Sequence, residues 1–176
     1  MGKPNRKRVD RSGTSSRPHA AGGFGLVETI VGAAIISLVL FALAEIGQFT
    51  FRVVDESNLR LRSAFLIEEG AEAVRTHRDT SWAGNIAPLA LDTDYYLAFS
   101  GSVWQLSLTP GALADGIFDR RVVFSAVYRD SFDVITATGG TLDPNTKKVT
   151  VRVMWSNRGR QATSAISTYF TNLFSN

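Results

Sequence analysis

The sequence contains no cysteine, only two histidines and only five prolines in 176 residues. Without cysteine, the chain can form neither disulfide bonds nor thiolate metal sites, and it has no cysteine nucleophile. His19 and His77 show no metal-ligand spacing, so we predict no metal site and interpret His77 as a solvated residue near the end of a helix. The chain also has no phosphate-binding loop and no nucleophile elbow, so we expect no catalytic residue, no cofactor and no enzyme activity.

Positive charge is concentrated at the N-terminus. Of the 19 basic and 16 acidic side chains, six basic and one acidic lie in residues 1–23, which leaves 13 basic against 15 acidic in the rest of the chain. Residues 1–23 carry almost no apolar side chains and cannot bury enough surface to offset the ordering of the chain. We therefore predict a disordered basic leader, and we expect no nucleic acid partner for the remainder.

Residues 24–44 form the one long apolar run of the chain. The run has 21 residues with a single charge, Glu28, and about 20 residues suffice to cross a bilayer core. Six basic residues precede it, so the positive-inside rule puts the N-terminus in the cytoplasm. We predict a single-pass cytoplasmic membrane protein whose remaining residues lie outside the cytoplasm.

The helix is expected to continue beyond the membrane span, through residues 45–80. This segment contains no proline, and its apolar residues recur at close to helical spacing at Ile46, Phe49, Val53, Leu61, Phe65, Ala71 and Val74. We predict that the helix ends at about Arg78. Gly47 and Gly70 are expected to weaken it, each by about 1 kcal/mol relative to alanine.

Residues 81–176 change to short alternating runs that predict strands of a small antiparallel β domain. Val149, Val151, Val153 and Trp155 share one face, which we expect the outer half of the long helix to cover. Turns are predicted at 143–146 and 156–159. The fold class is α+β, a long helix packed on an antiparallel sheet, with strands at Tyr95–Phe99, Val103–Leu108, Arg121–Tyr128, Lys148–Trp155 and Ala162–Phe170.

The junction between the leader and the apolar run carries a recognisable motif. The residues Ala21-Gly22-Gly23-Phe24-Gly25-Leu26-Val27-Glu28, followed by the apolar stretch, resemble the processing site of type IV prepilins and type II secretion pseudopilins. A carboxylate inside an apolar helix costs about 2.5 to 3.5 kcal/mol even on lenient insertion scales, which independently suggests a partner for Glu28. The resemblance covers about 25 residues of the chain directly.

The resemblance implies a processing pathway and a set of site residues. A prepilin peptidase would cut between Gly23 and Phe24, Phe24 would be N-methylated, and Glu28, the fifth residue of the mature chain, would pair with the Phe24 amine of a neighbouring subunit during assembly. The implied partners are the peptidase, other pilin or pseudopilin subunits, the inner-membrane assembly platform and membrane lipid. The implied product is a structural subunit of a pilus or pseudopilus filament.

Two departures bear on the kind of subunit. Position 45 is glutamate, where many major pilins have a proline that kinks the helix, and the chain lacks the cysteine pair that closes the C-terminal loop in many of them. We therefore do not expect a major adhesive pilin of that kind. The segments 68–75 and 149–155 look similar to those of minor pilins or pseudopilins.

Two alternatives to a filament subunit stay open. Ala42-Leu43-Ala44 looks like the cleavage site of an ordinary secretory signal peptide. Alternatively, the helix could remain in the bilayer as a signal-anchor for an extracytoplasmic binding module that never enters a filament.

Two further groups of residues in the β domain are of types that occur in ligand-binding sites. Asp92, Asp94, Asp115 and Asp119 supply oxygen ligands of the kind calcium prefers, but their spacing matches no standard loop and we favour solvated loops. Tyr95, Tyr96, Phe99 and Trp104 are the residue type that stacks nucleobases. Because few basic residues lie nearby in the sequence, we predict that these aromatics pack in the core.

Overall fold

The computed structural model describes Gly2 and residues 24–173. It is an α+β structure in which a long N-terminal helix is combined with a six-stranded antiparallel sheet. The chain divides into two units, Met1–Thr50 and Phe51–Asn176. The leader predicted at residues 1–23 lies outside the described residues, apart from Gly2.

Helix α1 runs from Phe24 to Thr80 without interruption, so the predicted continuation of the apolar helix into the polar segment is confirmed. The helix ends two residues beyond the expected Arg78. Its last turn carries His77 and Arg78, basic side chains that suit the negative end of the helix dipole. Among the described residues, α1 is the one helix long and apolar enough to span a membrane.

The sheet has the order β2-β1-β3-β5-β6, with the two-residue β4 paired to β3, and every pairing is antiparallel. All five predicted strands are present. The strands are β1 (Asp94–Ser100), β2 (Val103–Ser107), β3 (Asp119–Arg129), β4 (Ile135–Thr136), β5 (Thr141–Asn157) and β6 (Arg160–Thr171).

The second half of α1 packs across one face of this sheet, as predicted. Val149, Val151, Val153 and Trp155 of β5 are all buried, and they share one core with residues of the helix. The buried positions of the helix recur every three or four residues, as one face of a helix must. They are Ser63, Ile67, Gly70, Ala73 and Val74.

Gly70 lies where the helix packs tightly against the sheet. A Cβ added there would lie 2.8 Å from Cγ1 of Val151 and 3.4 Å from Cδ of Arg120. Both neighbours are held in a packed interior, so the missing side chain allows the helix to approach the sheet closely. The expectation that Gly70 merely weakens the helix omitted this role in packing.

The two outer hairpins turn at residues with positive φ. Gly101 and Ser102 join β1 to β2, and Arg158 and Gly159 join β5 to β6, all four with φ between 52° and 78°. Two-residue loops of this kind match the twist of the strands that they connect. The turn predicted at 156–159 is therefore confirmed.

The turn predicted at 143–146 is wrong, because these residues lie inside β5. The expected local hydrogen bond does form, since the Asn145 amide donates to Oδ1 of Asp143 at 2.9 Å. This bond forms within a bulge of β5 and does not reverse the chain. The pairing of β5 with β3 shifts register between Ala126 and Tyr128, and Pro144 lies among the β5 residues that have no partner on β3. Proline is tolerated there because no ladder bond requires its missing N–H.

Lys147 supports the chain segment that follows the helix. Its side chain is buried, and Nζ donates to the carbonyl oxygens of Ile86 at 2.8 Å, Leu89 at 3.0 Å and Ala87 at 3.1 Å. These carbonyls belong to the π-helical turn Trp82–Ile86 and the residues just after it. Burial lowers the pKa of Lys147. The three bonds satisfy polar groups that would otherwise be buried at a cost.

Replacing Gly70 with valine should lower the free energy of unfolding by about 2–3 kcal/mol, because the added side chain must displace Val151 in a packed core. Unfolding of the full chain in detergent, followed by the fluorescence of buried Trp82 and Trp155, measures this change. Ala64→Val is the matched control, since Ala64 is exposed on the same helix and loses only about 0.6 kcal/mol of helix propensity. Equal losses in the two variants would contradict the proposed close contact.

Candidate functional site

The predicted cleavage site lies at the edge of the described residues. Gly23 falls outside them, and Phe24 is the first residue of α1. Glu28 follows one helical turn later and is exposed. Comparison with protein-family models, with curated proteins and with solved structures finds no match to this chain.

Glu28 differs from the other polar side chains of the apolar segment. The hydroxyl of Thr29 donates to the Gly25 carbonyl at 2.7 Å, and that of Ser37 donates to the Ala33 carbonyl at 2.8 Å. Such bonds to the preceding turn satisfy a hydroxyl without water or a neighbour. No hydrogen bond or ion pair joins Glu28 to any part of the chain that the structure describes. Its carboxylate can therefore accept a cationic partner from outside.

Small residues leave room beside the apolar segment. At Gly32 and Gly47, no atom lies within 4 Å of where a Cβ would be, the helix's own nearby backbone excepted. Ala33 and Ala34 add two further small side chains next to Gly32. Positions of this kind allow a second helix to approach closely.

The outer half of α1 has an apolar face that the sheet does not cover. We call this surface the back stripe, and it consists of Phe51, Val54, Leu61 and Phe65, which are 72%, 49%, 56% and 60% exposed. These residues lie on the side of the helix opposite Ile67 and Val74, which are buried against the sheet. Leu61 and Phe65 thus fit the predicted helical spacing without contributing to the core.

Each of the four aspartates considered as calcium ligands contacts another side chain of the protein. Asp92 accepts from Oγ of Ser125 at 2.6 Å, and Asp115 pairs with Arg62 at 3.1 Å. Asp119 and Asp94 both pair with Arg121, at 2.6 and 2.8 Å. Within residues 24–173, no group of three or more histidine, cysteine, aspartate or glutamate side chains is placed to hold a metal ion.

Asp94 is the centre of an ion-pair network on the face of the sheet turned away from the helix. It accepts hydrogen bonds from Arg121 and Arg152, so it ties together β1, β3 and β5. Burial opposes its ionisation, but the bonds from the two guanidinium groups outweigh burial and hold the pKa of Asp94 below its usual value of 3.8. The role of this carboxylate is structural.

The prediction that the aromatic cluster packs in the core is correct for only part of it. Tyr95 is buried, stacks edge-on with Phe124 at 5.8 Å and accepts from the Ala90 amide through its hydroxyl. Phe99 is 63% exposed and contacts Trp104 at 5.0 Å. The guanidinium groups of Arg120 and Arg121 lie over the rings of Trp104 and Tyr96. These arginines lie 16 to 25 residues away in the sequence but close in space, because β1 lies between β2 and β3 in the sheet.

Two further features were not apparent from the sequence. His77, interpreted as solvated, is half-buried, and its Nε2 atom is buried without a hydrogen-bond partner among the described residues. Four arginines converge where the start of the outer helix half meets the β5–β6 turn: Arg52, Arg60, Arg158 and Arg160. Their separation of about 100 residues along the chain gives no sequence signal for this meeting.

Asp94→Asn should lower the free energy of unfolding at neutral pH, by about 1–3 kcal/mol, because two arginines lose a charged acceptor. The pKa of Asp94 is lower in the folded chain, so its contribution is complete above pH 3.8 and is lost as the pH falls further. The wild-type protein should therefore lose more stability than the variant as the pH falls to about 2.

Denaturant unfolding of both proteins over this pH range, followed by tryptophan fluorescence, measures the difference. Asp92→Asn is the matched control, because within residues 24–173 the Asp92 carboxylate has a hydrogen bond only from the neutral Ser125 side chain. Some acid dependence should persist in Asp94→Asn. Burial opposes the ionisation of Asp143, but hydrogen bonds from Arg129, Thr146 and the Asn145 amide outweigh burial and lower the pKa of Asp143 as well. Identical pH profiles for wild type and Asp94→Asn would refute the assigned role.

Proposed function

We propose that this chain is the precursor of a structural subunit of a type IV pilus or a type II secretion pseudopilus. Its leader would be removed after Gly23, Phe24 would be N-methylated, and the subunit would assemble through α1. Its partners would be a prepilin peptidase, other subunits, the inner-membrane assembly platform and membrane lipid. The observation that carries the proposal is the isolated carboxylate of Glu28, the fifth residue after the predicted cleavage point, in an otherwise uncharged helical segment.

The chemistry of Glu28 supports assembly coupled to processing. Cleavage after Gly23 would create an amine on Phe24, and N-methylation would leave that amine charged. An ion pair between this amine and Glu28 of a neighbouring subunit would compensate both charges in an apolar surrounding. A chain that has not been cut offers no such amine, so only processed subunits could form the pair.

The back stripe favours a filament subunit over a membrane-anchored binding module. Phe51, Val54, Leu61 and Phe65 follow the apolar segment of residues 24–44 and face away from the sheet. A bilayer covers only about 20 helical residues, so a subunit that stays anchored would leave these side chains in water. Helices of neighbouring subunits would cover them in a filament.

The charge distribution supports an orientation for the precursor. The six basic side chains within residues 1–23 favour a cytoplasmic N-terminus by the positive-inside rule. The membrane-length helix would then hold the β domain outside the cytoplasm. After processing, the subunit would leave the bilayer and enter the pilus or pseudopilus.

The N-terminus of the protein recovered from membranes of its host should be N-methylated Phe24. Intact mass and N-terminal sequencing of the purified protein measure this directly. A chain that begins at Glu45 would instead indicate an ordinary signal peptide, and a chain that keeps its leader would indicate a signal-anchor. Either result would refute processing by a prepilin peptidase.

Glu28→Ala should abolish incorporation into filaments while leaving the protein in the membrane. Loss of one member of a buried ion pair costs about 3 to 5 kcal/mol, which corresponds to more than a hundredfold loss in assembly. Immunoblotting of sheared filaments against the membrane fraction measures incorporation. Glu45→Ala is the matched control, since Glu45 is exposed on the same helix beyond the apolar run.

The two competing functions predict different results for these variants. Normal incorporation of Glu28→Ala would contradict the assembly role of this carboxylate. If wild type and both variants remain in the membrane and none enters a filament, the chain is an anchored binding module. N-terminal sequencing of each variant separates a failure of assembly from a failure of cleavage.

A further inference from the structure

A polar cleft lies between the start of the outer half of α1 and the turn that joins β5 to β6. Its volume is about 700 Å³. We call it the basic cleft, after the four arginines that line it: Arg52 and Arg60 from the helix, and Arg158 and Arg160 from the turn. All of these residues belong to the second unit, Phe51–Asn176.

Two acidic side chains neutralise half of this charge. Glu56 accepts from Arg60 at 3.0 Å and from Asn157 at 3.1 Å, and Asp55 accepts from Arg158 at 2.9 Å. These two hydrogen bonds hold the pKa of Glu56 below its usual value, and the bond from Asn157 has the larger effect. Four guanidinium groups against two carboxylates leave an excess of two positive charges in and beside the cleft.

The excess charge belongs to Arg52 and Arg160. Neither side chain has a hydrogen-bond or ion-pair partner within residues 24–173, and both are exposed. Guanidinium groups bind phosphate and carboxylate in a two-pronged geometry, so this pair suits an oxyanion. This suitability for an anion is a property of the cleft and not of the whole domain, because the chain after residue 23 has more acidic than basic side chains.

The position of the cleft in the chain favours a phospholipid as the source of the anion. Arg52 follows Ala44, the end of the predicted span, by only eight residues along the chain. The headgroup layer begins where the hydrocarbon core ends and is several ångströms thick. A guanidinium with a flexible side chain can reach lipid phosphate from this position.

We propose that the basic cleft binds the phosphate of an anionic phospholipid headgroup while the subunit is anchored in the membrane. The inference rests on membrane anchoring by residues 24–44, which is part of the proposed function. It adds a ligand class that neither the processing motif nor Glu28 implies. Binding would hold the β domain against the membrane surface before the subunit leaves the bilayer.

Native mass spectrometry of the full chain in detergent tests the inference. The protein is mixed with equal amounts of phosphatidylglycerol and phosphatidylcholine, and the ratio of the two bound lipids is measured. Wild type should prefer the anionic lipid, and Arg52→Gln combined with Arg160→Gln should reduce this preference about thirtyfold, since each basic side chain near an anionic surface contributes about fivefold. The preference of wild type should also decrease as salt is raised.

The matched control combines Arg62→Gln with Arg75→Gln. It removes the same charge from two other exposed arginines of the helix, both outside the cleft. If the control keeps the preference for phosphatidylglycerol, the result supports a specific site. If both double variants lose the preference equally, net charge alone explains the binding and the proposal is overturned. Thermal unfolding of both variants confirms that they remain folded.

Competition distinguishes the source of the anion. Inorganic phosphate should displace phosphatidylglycerol only at a large excess. Displacement at equal concentration would assign the cleft to a soluble phosphate, and tighter binding of a short single-stranded oligonucleotide would assign it to nucleic acid; either outcome overturns the proposal. The assay requires neither cleavage nor assembly. If wild type shows no preference for the anionic lipid although its N-terminus is correctly processed at Phe24, the lipid site is refuted and the proposed function is not affected.

Discussion

The contact between Gly70 and Val151 determines how the two secondary-structure types of this protein are joined. The chain has no cysteine, so no disulfide bond fixes the helix to the sheet. Close packing must supply this attachment, and the absence of a side chain at Gly70 lets the valines of β5 reach the helix. A larger residue would separate the surfaces along several turns, because interiors at native density accommodate little displacement.

This attachment leaves α1 with two different surfaces along its length. Between residues 25 and 44, side chains are apolar on all sides of the helix, which suits a surrounding of lipid or of other helices. From Leu59 onward, one side of the helix packs against the sheet, and the back stripe is exposed on the opposite side. An amphipathic helix needs only one apolar face to hold its own domain, so a second apolar face implies a second packing partner.

Local patterns predicted the fold well, and long-range contacts account for what they missed. The alternation from Val149 to Trp155 identified the buried face of β5, because a strand places successive side chains on opposite sides. Asp143 and Pro144 were predicted to reverse the chain, and only the register of β3 against β5 reveals a bulge there. Glu28 could be identified as a candidate site residue from the sequence, because it is the one charge in an apolar run. The basic cleft could not, because it forms only where the β5–β6 turn meets helix residues about 100 positions earlier in the chain.

Arginine ion pairs take over part of the cross-linking that disulfides provide in many other small domains. Six of those among the described residues join segments that are distant in sequence: Arg120 to Glu69, Arg121 and Arg152 to Asp94, Arg129 to Asp143, Arg62 to Asp115 and Arg158 to Asp55. Exposed pairs each add at most about 1 kcal/mol, so their value lies in fixing geometry as a network. Arg52 and Arg160 stand apart, since the described part of the chain gives neither a carboxylate. In a domain that pairs its arginines so widely, two unpaired ones in a single cleft are best explained by an anion that the chain itself does not supply.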